Sequence, residues 1–247
     1  IGPASEASQL GGVLSSAGIT KVILIRHANA QPRDPEAAAV EAGTVLAPDT
    51  PFANAWTVGD LTRELTAKGE EQAAAAAGVY LDKLALKAII CSEARRAIRT
   101  SEIMTHGRIS KGDPGYLTLH TLHPSRSGTP QCEKMFDKLG YGTLQTYFDD
   151  TSVEGCEGRG RELFREYVRK VTGELHGLIS AGMGGFPATG DTVAIFGHAV
   201  FLNAVAIAVG EAMEIEQAEA QVAVIELGEA QGIMCDRTEK SIVLHAA

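Results

Sequence analysis

The sequence predicts an α/β protein, with a mainly parallel central sheet covered by helices on both faces as a three-layer α/β/α sandwich. Three observations carry this expectation. Apolar runs such as Val22-Ile23-Leu24-Ile25 and Val193-Ala194-Ile195-Phe196 lack polar alternation, as strands buried on both faces require. Stretches with helical spacing separate these runs along the chain. At 247 residues, 45% of them hydrophobic, the chain is long enough to bury a full core. No low-complexity linker or internal repeat divides it, so one domain is expected.

The first strand, from Lys21, stops abruptly at Arg26-His27-Ala28-Asn29. Between Gln31 and Asp60, Pro32, Pro35, Pro48 and Pro51 predict a long loop with one short Ala/Glu helix, and loops of that length beside a strand end are often functional covers. Thr66 is the expected N-cap of the next helix, whose propensity comes from the alanines at 73–77. Residues 87–91 form the second expected strand, followed by Ser92 and a helix from Glu93 to about His106. After a turn at Gly112-Asp113-Pro114-Gly115, a third strand is expected over 116–122. A polar stretch with Pro124 and Pro130 leads through a mixed helical region to Asp150. Leu163, Tyr167, Val171, Leu175 and Leu178 then mark one face of a long amphipathic helix over about 159–180. A fourth strand over 191–196 ends in Gly197-His198-Ala199 and runs into a helix through Gly210. Residues 192–210 are the most apolar window and about as long as a bilayer crossing, but Gly197, His198 and Asn203 interrupt them, which favours a buried strand and helix. Residues 221–227 and 241–245 read as the last strands.

A formal net charge of -9 argues against non-specific binding to nucleic acid or to an anionic membrane surface. Cys91, Cys132, Cys156 and Cys235 are widely separated and form no CxxC pair, so a reducing, cytoplasmic compartment is expected. The chain begins at Ile1, which reads as a trimmed start, and residues 1–19 lack the order of a secretory signal. No HExxH, His-x-His or Asp-rich loop suggests a metal, and no cofactor is expected.

Three buried strands end in polar groups: Arg26-His27, Ser92 with its following arginines, and Gly197-His198. If these strands are parallel and adjacent, their carboxyl ends share one crevice, where ligands of open α/β sheets bind. Two histidines and at least two arginines would then face each other, and planar guanidiniums suit phosphate oxygens.

Here the sequence resembles a known family. Arg26-His27-Ala28-Asn29-Ala30 is similar to the Arg-His-Gly/Ala signature of the histidine phosphatase superfamily, which has the phosphoglycerate-mutase-like fold. Leu65-Thr66 with Gly69 and Gln72 resembles its "Leu-Thr-x-x-Gly-x-x-Gln-Ala" helix start. Ser92 through Thr100 resembles its "Ser-x-x-x-Arg-Ala-x-Gln-Thr" helix, and residues 194–199 resemble its second-histidine strand. The four stretches occur in the family's order, from about residue 20 to 205, and the Arg-His-Ala-x-Ala and Leu-x-Pro features point to its small phosphohistidine-phosphatase branch.

The resemblance implies roles. His27 would attack phosphorus and form a phosphohistidine, while Arg26, Arg96 and His198 would surround the equatorial oxygens. Asn29, Arg63 and the backbone N–H of Ala199 are candidate substrate contacts; Arg63 reads equally well as a surface salt bridge. The Arg-Ala pairing selects Arg96 over Arg95. The chain departs from the family at the proton donor, since no carboxylate follows the third strand before Glu133; His123 and Glu133 are the candidate donors. The expected partner is a phosphorylated small molecule or a phosphohistidine protein. A phosphoglycerate-type mutase and a non-catalytic phosphate-binding relative are the alternatives. Against that branch, residues 1–19 read as an N-terminal extension to a 20–247 domain, with insertions near 31–60 and 124–158 that carry Phe52, Trp56, Phe136 and Tyr147 as candidate pocket walls.

Overall fold

The computed structural model describes residues 3–32, 59–187 and 189–246, with the side chains of residues 3–6 not described. The short Ala/Glu helix expected within 31–60, together with Phe52 and Trp56, lies outside the described residues. Six strands form one sheet: β1 Lys21–Arg26, β2 Leu86–Cys91, β3 Tyr116–Thr118, β4 Thr192–Gly197, β5 Gly232–Asp236 and β6 Ser241–His245, in the order β3-β2-β4-β1-β5-β6. The first four in that order run parallel, and β5 joins β1 antiparallel, with β6 antiparallel to β5.

The continuous apolar runs produce this sheet because successive side chains point to opposite faces and both faces are covered. Val22, Leu24, Ile90, Val193 and Ile195 enter one hydrophobic core, whereas Ile23, Ile25, Ile89, Ala194 and Phe196 enter the other. On the first face lie helices α1 Pro3–Ser16, α6 Gly160–Gly182 and α7 Phe201–Ala212; on the second lie α2 Ala67–Val79 and α3 Arg95–Thr105. Two shorter helices, α4 Pro130–Leu139 and α5 Leu144–Asp149, follow the 3-10 turns after β3, and α8 Ala218–Val222 precedes β5.

The segment at 1–19 contributes to the core, since Leu10, Val13 and Leu14 of α1 are buried and the helix packs against α6 and α7. Helix α6 buries Leu163, Tyr167, Val171 and Leu175 as its spacing predicts. None of the helices among the described residues is long and apolar enough to cross a membrane, and all four cysteines are buried and free.

Two sequence expectations need correction. The third strand ends at Thr118 instead of Leu122: the Leu119 N–H still reaches the Cys91 carbonyl, and residues 120–122 then tighten into a 3-10 turn ahead of Pro124. Residues 221–227 are not a strand. Val222 and Ala223 are both buried while Val224 is exposed, a pattern that fits the end of α8 and not a period of two. The strand that pairs antiparallel with β1 is β5, after a turn.

Candidate active site

The sheet brings the two histidines together. β1 and β4 are parallel neighbours with Arg26 opposite Gly197, so both chains leave the sheet at the same level, and the His27 N–H donates to the Gly197 carbonyl at 3.0 Å. The rings of His27 and His198 lie 5.3 Å apart. β2 pairs with the other side of β4, and the Ser92 N–H donates to the Phe196 carbonyl at 2.9 Å. Ser92 Oγ then sits 3.1 Å from His198 Nε2. Three strand ends thus meet in one pocket whose floor includes His27, His198, Arg96, Arg63, His123 and Asp60.

Hydrogen bonds fix the tautomers. The Ala28 carbonyl is 2.8 Å from His27 Nδ1 and can only accept, so Nδ1 carries the proton and Nε2 keeps its lone pair. Burial, then the charge of Arg96, holds the His27 pKa well below 6.5, outweighing the bond to Ala28, so the ring is neutral at physiological pH. Arg96 Nη2 donates to His198 Nδ1 at 3.2 Å, which places the His198 proton on Nε2, facing Ser92. Burial, then Arg96, keeps His198 well below 6.5 as well.

Asp60 is the residue that sequence reasoning missed. Its carboxylate accepts from Arg96 Nη2 at 2.7 Å, from His123 Nε2 at 2.8 Å and from Arg63 Nη1 at 3.0 Å, and its backbone carbonyl accepts from Arg96 Nη1. Burial acts to raise its pKa, but the His123 hydrogen bond and the Arg96 charge outweigh it and hold the carboxyl well below the usual range. The available signal was its i,i+3 spacing to Arg63 beside the Leu-Thr motif.

Among the other candidates, Arg63 lines the pocket, tied to Asp60 and to the Gln31 carbonyl at 2.7 Å. Arg26 is buried beside the pocket and is not among the residues lining it; it donates to the Leu227 carbonyl at 3.0 Å, and its guanidinium lies 4.2 Å from the centre of the Tyr141 ring. Asn29 is not turned to the pocket. Its amide nitrogen donates to Glu229, and its oxygen accepts from Thr66 at 2.7 Å, so it braces the loop behind His27. Ala199 is buried directly after His198, and Val200 follows at φ 64°, a conformation β-branched residues avoid that costs of order 1–3 kcal/mol. That bend takes the chain straight from the His198 strand end into α7. His123 is fully buried, and burial lowers its pKa despite Asp60. Glu133, on α4, lines the pocket, and burial followed by the charge of Asp137 raises its pKa. Phe136 is a pocket wall, whereas Tyr147 is buried in the core. Arg95 and Arg99 face solvent, paired with Glu64 and Glu70.

Among the described residues, the buried side-chain atoms without a hydrogen-bond partner include Arg96 Nε and His123 Nδ1 in the pocket and Arg26 Nε beside it. The unsatisfied Arg96 N–H, in the pocket beside two neutral histidines, is what an oxyanion would satisfy. Among the described residues no His, Cys, Asp and Glu side chains are grouped to hold a metal ion.

Residues 22–111 match the family described as "Histidine phosphatase superfamily (branch 1)". No curated protein sequence matches the chain. Among solved structures, the alpha-ribazole phosphatase from Shigella flexneri is similar at 16% identity and a TM-score of 0.46, covering 92% of this chain and 95% of that one. A phosphoserine phosphatase from Entamoeba histolytica, in complex with phosphoglyceric acid, is similar at 15% identity and a TM-score of 0.48, covering 92% and 96%. The protein histidine phosphatase SixA complexed with tungstate is similar at 13% identity and a TM-score of 0.44, covering 91% and 94%.

Proposed function

Starting from a chain that resembles the histidine phosphatase superfamily over residues 22–111, we propose that this protein is a metal-independent phosphatase that hydrolyses phosphate monoesters or phosphohistidine through a phosphohistidine on His27. The observation that carries this reading is the state of His27: neutral, with Nδ1–H spent on the Ala28 carbonyl and Nε2 left as a lone pair beside Arg96 and His198.

In the first half-reaction Nε2 attacks phosphorus, the bond from phosphorus to the leaving group breaks with its electron pair going to the leaving atom, and a proton reaches that atom from Glu133, or from His123 when its Nδ1 is protonated as well as the Nε2 held by Asp60. In the second, water attacks phosphorus, the phosphorus–nitrogen bond breaks with its pair returning to His27, and the proton of water goes back to the donor. Each half is a single displacement on phosphorus, easier than direct hydrolysis. Arg96 and His198, with Arg26 and Arg63 behind them, supply fixed positive charge and N–H donors where charge spreads over the equatorial oxygens. Arg96 is positioned before substrate arrives, because Asp60 holds both of its terminal nitrogens. Phosphorylated small molecules and phosphohistidine on a partner protein are the substrates this chemistry admits, and the setting we assign is cytoplasmic.

Incubation with a labelled phosphate donor followed by denaturation should trap label that is lost in acid and kept in alkali, as expected of phosphohistidine. His27→Ala should abolish trapping and lower turnover of p-nitrophenyl phosphate at least about a thousandfold. Undiminished hydrolysis by that variant would remove the proposal.

A further inference from the structure

The pocket is bipolar. Its floor carries the buried guanidinium of Arg96, with Arg63 beside it, while its rim, built by α4 and the loop after it, carries Glu133, Phe136, Asp137 and Tyr141. The two carboxylates stand one helical turn apart, where like charges repel. Among the described residues neither has an ion-pair partner, although surface acids elsewhere, Glu64, Glu70 and Glu162 among them, are paired with arginines. Aromatic walls line the same pocket: the Phe136 ring lies 5.4 Å from Tyr141 and 5.8 Å from Phe201. One face of Tyr141 is taken by Arg26, and the residue is otherwise 54% exposed at the mouth.

Each half of this arrangement selects a charge. The Arg96 Nε hydrogen, buried and unpartnered in the floor, calls for an oxyanion. The unpaired carboxylates and the ring faces at the rim attract a cation and repel a second negative group. We propose that the substrates are zwitterionic phosphomonoesters, in which one short skeleton carries both a phosphate and an ammonium or quaternary ammonium group. This rests on the phosphatase reading and adds the charge of the leaving group. The phosphate enters the arginine floor, and the cation stays at the rim beside Asp137 and the rings, chemically unchanged through the reaction, which leaves Glu133 to supply the proton. Phosphates that carry a carboxylate, which a phosphoglycerate-type mutase would take, meet the rim with the wrong sign.

Three non-hydrolysable phosphonates of similar size separate these terms: aminoethylphosphonate, propylphosphonate and phosphonopropionate, titrated calorimetrically into the wild-type protein with inorganic phosphate as reference. The cationic ligand should bind about tenfold more tightly than the neutral one and the carboxylate ligand most weakly. Asp137→Asn should narrow the cationic-to-neutral ratio several-fold, and Asp137→Lys should invert the order toward phosphonopropionate. Equal affinities for the three, or tightest binding of phosphonopropionate by the wild type, would overturn the inference while leaving the phosphate site standing. If neither the phosphonates nor inorganic phosphate binds, the phosphatase reading fails and this one with it.

Discussion

Replacing Asp60 by asparagine would leave Arg96, Arg63 and His123 around a neutral amide, whose nitrogen would face donors where an acceptor is required. Breaking a buried ion pair by removing one partner costs about 3–5 kcal/mol, and here one carboxylate serves Arg96, His123 and Arg63 among the described residues. Asp60→Asn should therefore lower the thermal midpoint by several degrees and reduce kcat for p-nitrophenyl phosphate by at least about tenfold, as Arg96 loses its fixed position. Calorimetry and steady-state kinetics check the two effects, and an unchanged midpoint with unchanged kcat would make the carboxylate dispensable. His27 and His198 announce chemistry by their type at a strand end, whereas Arg96, on a helix, is selected over Arg95 only by the family motif that the stretch resembles. Asp60 announces less: its i,i+3 spacing to Arg63 fits an ordinary ion pair, and its two buried partners, Arg96 and His123, are 36 and 63 residues away in sequence. Asn29 misled for the opposite reason: a polar side chain next to the nucleophile is in place to brace the loop, and its two ends are consumed by Thr66 and Glu229.

At the scale of elements, the start of α2 shows what the Thr66, Gly69 and Gln72 spacing does beside His27. Thr66 caps the helix by accepting from the Gly69 N–H at 3.1 Å, and Gln72, one turn further, accepts the Asn29 N–H at 2.9 Å. Gly69 lies between them with no side chain, since a Cβ there would overlap the backbone carbonyl of Asn29. The helix backbone and the nucleophile loop are therefore packed directly together. Gly69→Ala, which raises intrinsic helix propensity by about 1 kcal/mol, should nevertheless destabilise the protein, because the loop or the helix must shift. It should also cut kcat in proportion to the displacement of His27; denaturant unfolding that shows a gain in stability would refute the close packing. Elements are legible when their own pattern decides them, as do the unbroken apolar runs of β1 and β4, buried on both faces, and the single apolar face of α6. The run at 221–227 was illegible because its apolar residues satisfy a strand pattern and a helix end alike, and contacts from elsewhere in the fold decide between them.

At the scale of the whole molecule, the parallel order β2-β4-β1 brings three strand ends to one point, and the price is three buried histidines in a cationic neighbourhood. Burial is the first cause in each case, and the pKa values of His27, His123 and His198 all lie below 6.5 in the folded state. An unfolded chain takes up protons near pH 6.5 that the folded one refuses, so the stability these groups contribute is complete above that pH and is lost as pH falls toward the folded values. Each histidine can remove up to about 1.4 kcal/mol per pH unit. Asp60 acts in the same direction only below its unfolded value of 3.8, so the two effects are separated on the pH axis. The thermal midpoint should therefore fall steadily between about pH 7 and about pH 5. A bound oxyanion changes this, because it pairs with imidazolium and raises the folded pKa values toward those of the unfolded chain. Millimolar phosphate should then raise the midpoint more at pH 5.5 than at pH 7.5, by linkage with ligand binding. A midpoint independent of pH over this range, or a phosphate effect of equal size at both values, would mean that the histidines and the anion do not share one site.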